Sequence, residues 1–193
     1  MCSYITYTED QYDLRYREIP YVEGSILLLG YFQSSKYFDR SIIDSIKIPK
    51  TINFSLPIIN GTGVCIHIRR TDYLTCSQIH TVQEDSYYTR AIDIMNEKVD
   101  NPHYLVFSDD LEYVKNNIHK FKSIKNYTII DNVDIDCINI MREFRHFIIA
   151  NSSFSWWGAM LGGYDIVIAP EKWYGKDGPK FWGDIYENDW IVI

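Results

Sequence analysis

Short apolar runs and helix-period segments alternate along most of this chain, and that alternation leaves few folds open. The runs at 63–68, 103–107, 127–130, 147–150 and 166–169 have strand length. Between them, 84–99 carries Tyr88, Ala91, Ile92, Met95 and Val99 along one helical side. A helix over 111–117 follows a Ser108-Asp109-Asp110 cap, one over 135–144 turns Ile138 and Met141 inward, and one over 154–161 ends at Gly162-Gly163. Strands separated by helices return to the sheet by crossovers, so their partners are parallel. The expectation is an α/β fold: a Rossmann-like parallel sheet with helices on both faces and right-handed crossovers. Neither G-x-G-x-x-G nor G-x-x-x-x-G-K-[ST] occurs, so the ordinary dinucleotide and P-loop readings lack their glycines.

The N-terminal part reads differently. Residues 1–23 are polar, tyrosine-rich and without period, and 25–31 is strand-like. Residues 34–46 read as a helix capped by Ser34 or Ser35, with Tyr37, Phe38, Ile42, Ile43 and Ile46 at near-helical spacing and Pro49 as its stop. Pro57 and Asn60-Gly61-Thr62-Gly63 mark a turn-rich boundary. The expected division is an appendage over 1–60, holding one strand and one helix, and a ligand-binding domain over 61–193.

Charge narrows the partners. The formal net charge is −7 and no basic run occurs, so a DNA- or RNA-binding role is set aside. Cysteines stand at 2, 65, 76 and 137 without a C-x-x-C pair, which argues for reduced thiols rather than a zinc site. Neither a secretory leader nor an apolar run of about 18 residues is present, and a cytoplasmic location is expected, with any membrane association arising through the substrate.

Polar residues gather where three of the strands end. The first end offers His67, Arg69, Arg70, Thr71 and Asp72; the second Ser108, Asp109 and Asp110; the third Asn151, Ser152, Ser153 and Ser155. Parallel strands put these ends on one rim, where open α/β sheets bind ligands. Guanidinium groups give paired hydrogen bonds to phosphate oxygens, so Arg69 and Arg70 suit a pyrophosphate. The helix beginning at Phe154 adds free N–H groups and a positive dipole end, the serines add hydroxyls, and Asp109 or Asp110 can accept from guanine or ribose. Taken singly, these are a salt-bridge cluster, two helix caps and a core histidine; their joint occurrence carries the anion-site reading. A competing reading takes Asp134-Ile135-Asp136 as a metal-binding D-x-D, although the pair more simply caps the helix that follows.

His67-Ile68-Arg69-Arg70-Thr71-Asp72-Tyr73 resembles the H-x-R-R-x-D-Y motif of the α-1,2-fucosyltransferases of glycosyltransferase family 11. Phe107-Ser108-Asp109-Asp110 and Asn151-Ser152-Ser153-Phe154-Ser155-Trp156-Trp157-Gly158-Ala159 resemble the family's two later motifs, in order. Gly30-Tyr31-Phe32-Gln33-Ser34-Ser35-Lys36-Tyr37-Phe38 and Pro170-Glu171-Lys172-Trp173-Tyr174 match its flanking blocks. The resemblance implies the donor-binding half of a GT-B-type enzyme that moves L-fucose from GDP-β-L-fucose, with inversion, to a galactose 2-hydroxyl. It also implies that no metal cofactor is needed, since the arginines meet the charge of departing GDP. Arg69, Arg70 and Asp72 become the catalytic candidates, with Arg69 nearest the scissile phosphate. Donor binding falls to His67, Arg69, Arg70, Ser108, Asp109, Asp110, Asn151, Ser152, Ser153 and Ser155, with His67 and Asp109 on the guanosine. The family's Gly-Gly-x-Gly-Asn-Gln block has no match here. The chain is therefore expected to be N-terminally truncated, 1–60 a remnant of the acceptor side, and a partner chain a source of the missing half. Asp72, His80 and Glu84 lie near the donor motif, Asp72 as a base or as the residue orienting Arg70, and no base is assigned.

Overall fold

The computed structural model describes residues 4–51 and 54–193. Cys2 lies outside them; Cys65 and Cys137 are buried free thiols and Cys76 an exposed one. The main sheet is built from Thr62–Ile68 (β3), Pro102–Ser108 (β4), Asn126–Ile129 (β5), His146–Ile148 (β6), Ile166–Ala169 (β7) and Ile191–Val192 (β8). Every pairing is parallel, and the order is β5-β4-β3-β6-β7-β8. Counted from the first of the six, that is the 3-2-1-4-5-6 order of doubly wound nucleotide-binding sheets. The chain leaves β3 toward one edge, then returns past it to β6 and runs to the other. The topological switch point thus lies between β3 and β6.

Both faces of the sheet are covered, as a parallel sheet requires. Val64, Ile66 and Ile68 of β3 pack with Tyr104 and Val106 of β4 under Asp85–Lys98 (α2) and Leu111–Asn117 (α3). Cys65, Leu105, Phe107, Phe147 and Ile149 face the other way, against Asp134–Met141 (α4) and Ser153–Gly162 (α5). The alternation follows from the two-residue period of a strand. It places His67, between Ile66 and Ile68, on the α5 side of the sheet.

The close approach of α5 to the end of α4 depends on Gly162. A Cβ there would lie 2.7 Å from the Arg142 Cα and 2.7 Å from its carbonyl oxygen, both backbone atoms that cannot rotate away. Gly162→Ala is expected to push the two helices apart and cost about 1–3 kcal/mol. Thermal unfolding followed by circular dichroism checks this, a fall of about 2–4 °C per kcal/mol being expected for a chain of this size; an unchanged midpoint would show that the helices slide freely.

Four local expectations are corrected. Residues 1–23 contain a strand, Tyr4–Thr8 (β1), which pairs in parallel with Ser25–Leu29 (β2). Its residues are almost all exposed, so no apolar period marks it. The helix expected over 34–46 is two 3-10 turns, Ser35–Tyr37 and Arg40–Ser45. Ser34 does cap the first, but Phe38 is extended and Asp39 then accepts from Ser41 N at 2.9 Å. A side chain that bonds its own backbone in this way competes with a continuous helix. Residues 71–83, which separate the expected strand at 63–68 from the expected helix at 84–99, begin with a short helix, Thr71–Thr75 (α1), that neither expectation includes. Finally, no side chain caps α4: its N-cap is Val133. Asp136 is buried and accepts from Thr51 N (3.0 Å) and Thr51 Oγ1, whereas Asp134 is exposed, so the two carboxylates do not converge as a D-x-D site.

Candidate functional site

Arg69 and Arg70 follow the last residue of β3, and a carboxylate from the neighbouring strand holds them there. Asp109, just beyond β4, accepts from Arg70 N at 2.8 Å, from Thr71 N at 3.0 Å and from Thr71 Oγ1. Its Oδ2 also lies 3.4 Å from Arg69 Nε. The start of α1 is thereby capped from 38 residues away, in place of the side-chain cap that Arg70 does not supply. Ser108 ties the same two strand ends together: its hydroxyl donates to Ile68 O at 2.7 Å and accepts from Asp110 N at 3.0 Å. Asp110 caps α3 by accepting from Tyr113 N at 2.9 Å, and it lies 3.5 Å from Arg70 Nε. The cap reading of Ser108-Asp109-Asp110 is realised at Asp110, which caps α3 with Oδ1 and faces Arg70 with Oδ2.

The guanidinium groups are held from several sides. Arg69 Nη2 donates to Asp72 Oδ1 at 2.7 Å, and its Cζ stands 5.3 Å from the centre of the Tyr73 ring. Asp72 therefore orients Arg69, and not Arg70 as its place in the sequence allowed. Arg70 Cζ lies 3.5 Å from the centre of the Tyr113 ring, a cation–π contact. Both Nε atoms are within ion-pair distance of a carboxylate, yet neither makes a hydrogen bond of acceptable geometry. Among the described residues, His67 Nδ1 is also buried without a partner. Burial pulls the His67 imidazole down to about 4; Asp109 opposes this and Arg69 adds to it. His67 is neutral at pH 7, and its ring rests 5.4 Å from Phe154 at the start of α5.

Across the switch point, the segment between β6 and α5 is built from inside. Asn151 is buried: Oδ1 accepts from Gln83 Nε2 at 3.0 Å, Nδ2 donates to Thr81 O (2.8 Å) and Trp173 O (2.7 Å), and its carbonyl accepts from Tyr73 Oη at 2.9 Å. Ser152 caps α5, accepting from Phe154 N at 3.3 Å. The Ser155 hydroxyl is buried and donates inward to Ser152 O at 3.3 Å. Ser153 is exposed and lines two adjoining cavities, of about 270 and 480 Å³. Of the three serines, Ser153 is the one whose hydroxyl faces open space.

Those cavities extend the rim into a cleft. Its far wall is the N-terminal segment, fastened by Lys180 N to Tyr12 O, Leu14 N to Phe181 O, both 2.8 Å, and Tyr16 N to Asp184 Oδ2 at 2.7 Å. Tyr31, Gln33 and Trp173 line both cavities; Tyr73, His80 and Tyr174 line the larger. The guanidinium groups line neither and stand at the margin, joined to the cleft through Tyr73. Glu84 lines a separate cavity with Arg90 and Lys172. Sequence reasoning gave no role to Tyr73, Gln83 or Tyr113. Tyr73 had a legible signal in its place within the His67–Tyr73 motif; Gln83 and Tyr113 reach the rim only through tertiary contacts.

A doubly wound α/β sheet whose switch point carries two arginines on one side and a capped helix N-terminus on the other is a nucleotide-binding architecture. The model of "Glycosyl transferase family 11" matches residues 16–193, and the chain belongs to that family. Among its relatives, an "Alpha-1,2-colitosyltransferase" of Escherichia coli is 32% identical over 171 residues, covering 81% of this chain and 59% of that protein. The "O-antigen biosynthesis glycosyltransferase WbnK" of Escherichia coli is 31% identical over 193 residues, covering 86% and 62%. The chain thus spans about three fifths of the length of the curated relatives it matches. Among the described residues, no helix is long and apolar enough to cross a membrane.

Proposed function

We propose that this chain binds GDP-β-L-fucose and transfers L-fucose, with inversion, to the 2-hydroxyl of a galactose-terminated acceptor. One observation carries the reading: among the described residues His67 Nδ1, Arg69 Nε and Arg70 Nε are buried without a hydrogen bond, and the three side chains follow one another at the carboxyl end of β3. Asp109 and Asp110 face the two Nε atoms at 3.4 and 3.5 Å without completing a hydrogen bond, so the guanidinium groups are held in place with donor capacity left over, which suits them to a diphosphate. In this reading Arg69 and Arg70 bind the diphosphate, Ser153 and the start of α5 meet it from the other side, and His67 contacts the nucleoside. Asp109 positions both arginines rather than touching base or ribose, because its oxygens are engaged by the Arg70-Thr71 backbone. As the anomeric carbon–oxygen bond breaks, negative charge grows on the departing phosphate, and the fixed guanidinium groups stabilise it more than they stabilise the bound donor.

Titration calorimetry with GDP in EDTA-containing buffer tests the donor site, and release of heat is the expected result. Absence of heat sinks the proposal. Transfer is assayed separately with a β-galactoside acceptor, using a fucosyl and then a colitosyl donor, since one relative is named for the latter sugar. A second reading, a donor-binding module that transfers only beside a partner chain, is favoured by the β1–β2 sheet. Tyr4, Ile5, Leu27, Leu28 and Leu29 are exposed on that two-stranded parallel sheet, a type seldom left uncovered. GDP binding without turnover selects this reading.

A further inference from the structure

We propose that the His80 imidazole is the general base that takes the proton from the acceptor hydroxyl. The inference rests on the transferase reading above and supplies the group that inversion requires. An inverting displacement brings the acceptor to the side of the sugar opposite the leaving phosphate. The base must therefore stand across a sugar-sized gap from the arginine pair.

His80 meets that requirement. Its ring stacks on Tyr73, centres 4.7 Å apart and planes 15° from parallel, and Tyr73 in turn carries the Arg69 guanidinium at 5.3 Å. The column Arg69–Tyr73–His80 sets the imidazole apart from the arginine pair by the Tyr73 ring, on the wall of the 480 Å³ cavity. The ring is held from behind as well. His80 N donates to Cys76 O at 3.0 Å, a β-bridge joins His80 to Tyr174, and the Tyr174 ring centre is 5.8 Å away. Among the described residues neither ring nitrogen has a hydrogen-bond partner, so an acceptor hydroxyl meets an unengaged base. Burial and Arg69 lower the affinity of the ring for a proton while Asp72 opposes them, and the balance lies below the ordinary histidine value. The imidazole is therefore neutral at pH 7, the form a base needs.

The other ionisable groups around the cavity fit less well. The Tyr73 hydroxyl donates to Asn151 O, and the Tyr174 hydroxyl donates to Gln33 Oε1 at 2.8 Å. Asp72 is tied to Arg69, and Glu84 lines a different cavity. Asp177 lines the same cavity from the C-terminal segment and is exposed, so it is the rival to be tested. In the step itself, the acceptor O–H proton passes to an imidazole nitrogen and the oxygen's electron pair forms the bond to the anomeric carbon. The anomeric bond to the β-phosphate oxygen breaks, its electron pair leaves on GDP, and the imidazolium then returns its proton to solvent.

The test compares the full chain with His80→Gln and Asp177→Asn by pH-dependent kinetics, with GDP calorimetry and thermal melting as folding controls. His80→Gln should lower kcat about 100-fold or more, while GDP affinity stays within about twofold. The wild-type rate should fall as acid protonates His80, with the same midpoint as the His80 ring signals by NMR, and that limb should vanish in the variant. Added imidazole should restore part of the rate to His80→Gly, which a merely structural histidine would not allow. An unchanged kcat in His80→Gln, a surviving acid limb, or loss of the limb in Asp177→Asn overturns the assignment while the transferase reading stands. GDP binding with no turnover by the wild type removes the transferase reading itself, and the base with it.

Discussion

Arg69→Ala is expected to lower kcat/KM for the donor by 100-fold or more and to remove most of the GDP binding heat. The guanidinium is placed by three neighbours, with Asp72 at 2.7 Å, Asp109 at 3.4 Å and the face of Tyr73 at 5.3 Å. It is thus fixed before the donor arrives, and no reorganisation is needed when charge develops on the phosphate. Removing one such preorganised donor typically costs about 3–4 kcal/mol in the transition state. The fold should survive the change. Asp109 keeps the Arg70 and Thr71 amides and the Thr71 hydroxyl, so its carboxylate is not left unpaired. Arg69→Lys should rescue little, because a compact ammonium cannot donate from a planar fork to Asp72, Asp109 and a phosphate at once. Calorimetry, donor kinetics and a melting curve on the same preparations check this together. A variant that binds GDP as the wild type does would show that the arginine rim is a surface ion-pair cluster after all.

Asn151→Ala should act on stability first. The side chain joins three parts of the chain: Asn151 itself lies between β6 and α5, Gln83 and Thr81 belong to the segment before α2, and Trp173 to the segment after β7. Truncation leaves the carbonyls of Thr81 and Trp173 without these donors in a buried place, and opens a small void. Gln83 keeps its bond to Lys172 O at 2.7 Å, so its amide is only partly orphaned. Two unsatisfied carbonyls at about 1–3 kcal/mol each make a loss near 3 kcal/mol or more, a large share of ordinary domain stability. Asn151→Asp should do no better, since a carboxylate would face two carbonyl oxygens. Urea unfolding with an unchanged slope and a lowered midpoint is the expected result. A midpoint within error of the wild type would mean that water replaces the amide, and that Asn151 faces the ligand instead of the protein.

Much of this architecture was legible beforehand. The strand at 166–169 and the helix at 111–117 were placed at their observed bounds, since hydrophobic period, Gly162-Gly163 and Pro170 are local signals. The three polar strand ends were legible for the same reason. The misreadings are physical as well. β1 is hidden because its residues are exposed on both faces, so no alternation of burial exists to be written in the sequence. The interruption at Asp39 depends on a side chain choosing its own backbone over a helical turn, which spacing of apolar residues does not report. The polar residues were given a shared purpose that the structure divides. Asn151, Ser152, Ser155 and Asp109 hold the rim, whereas Arg69, Arg70 and Ser153 border open space.

The amino-acid order by itself determined the parallel α/β layer, the family motifs and the three strand ends that carry polar groups. Period, caps and breakers act over a few residues, and a chain must obey them wherever it goes. Tertiary structure alone decided that β3 and β6 are neighbours, so that the arginines and the start of α5 face each other across the switch point. It also decided which polar atoms at the rim are engaged by the protein and which are not. The partners of Asn151 Nδ2 lie 70 and 22 residues away, and the amides that Asp109 accepts lie 39 and 38 residues away. A hydrogen bond closed over such a distance leaves no local trace, because its geometry exists only once the sheet has brought both ends to one rim.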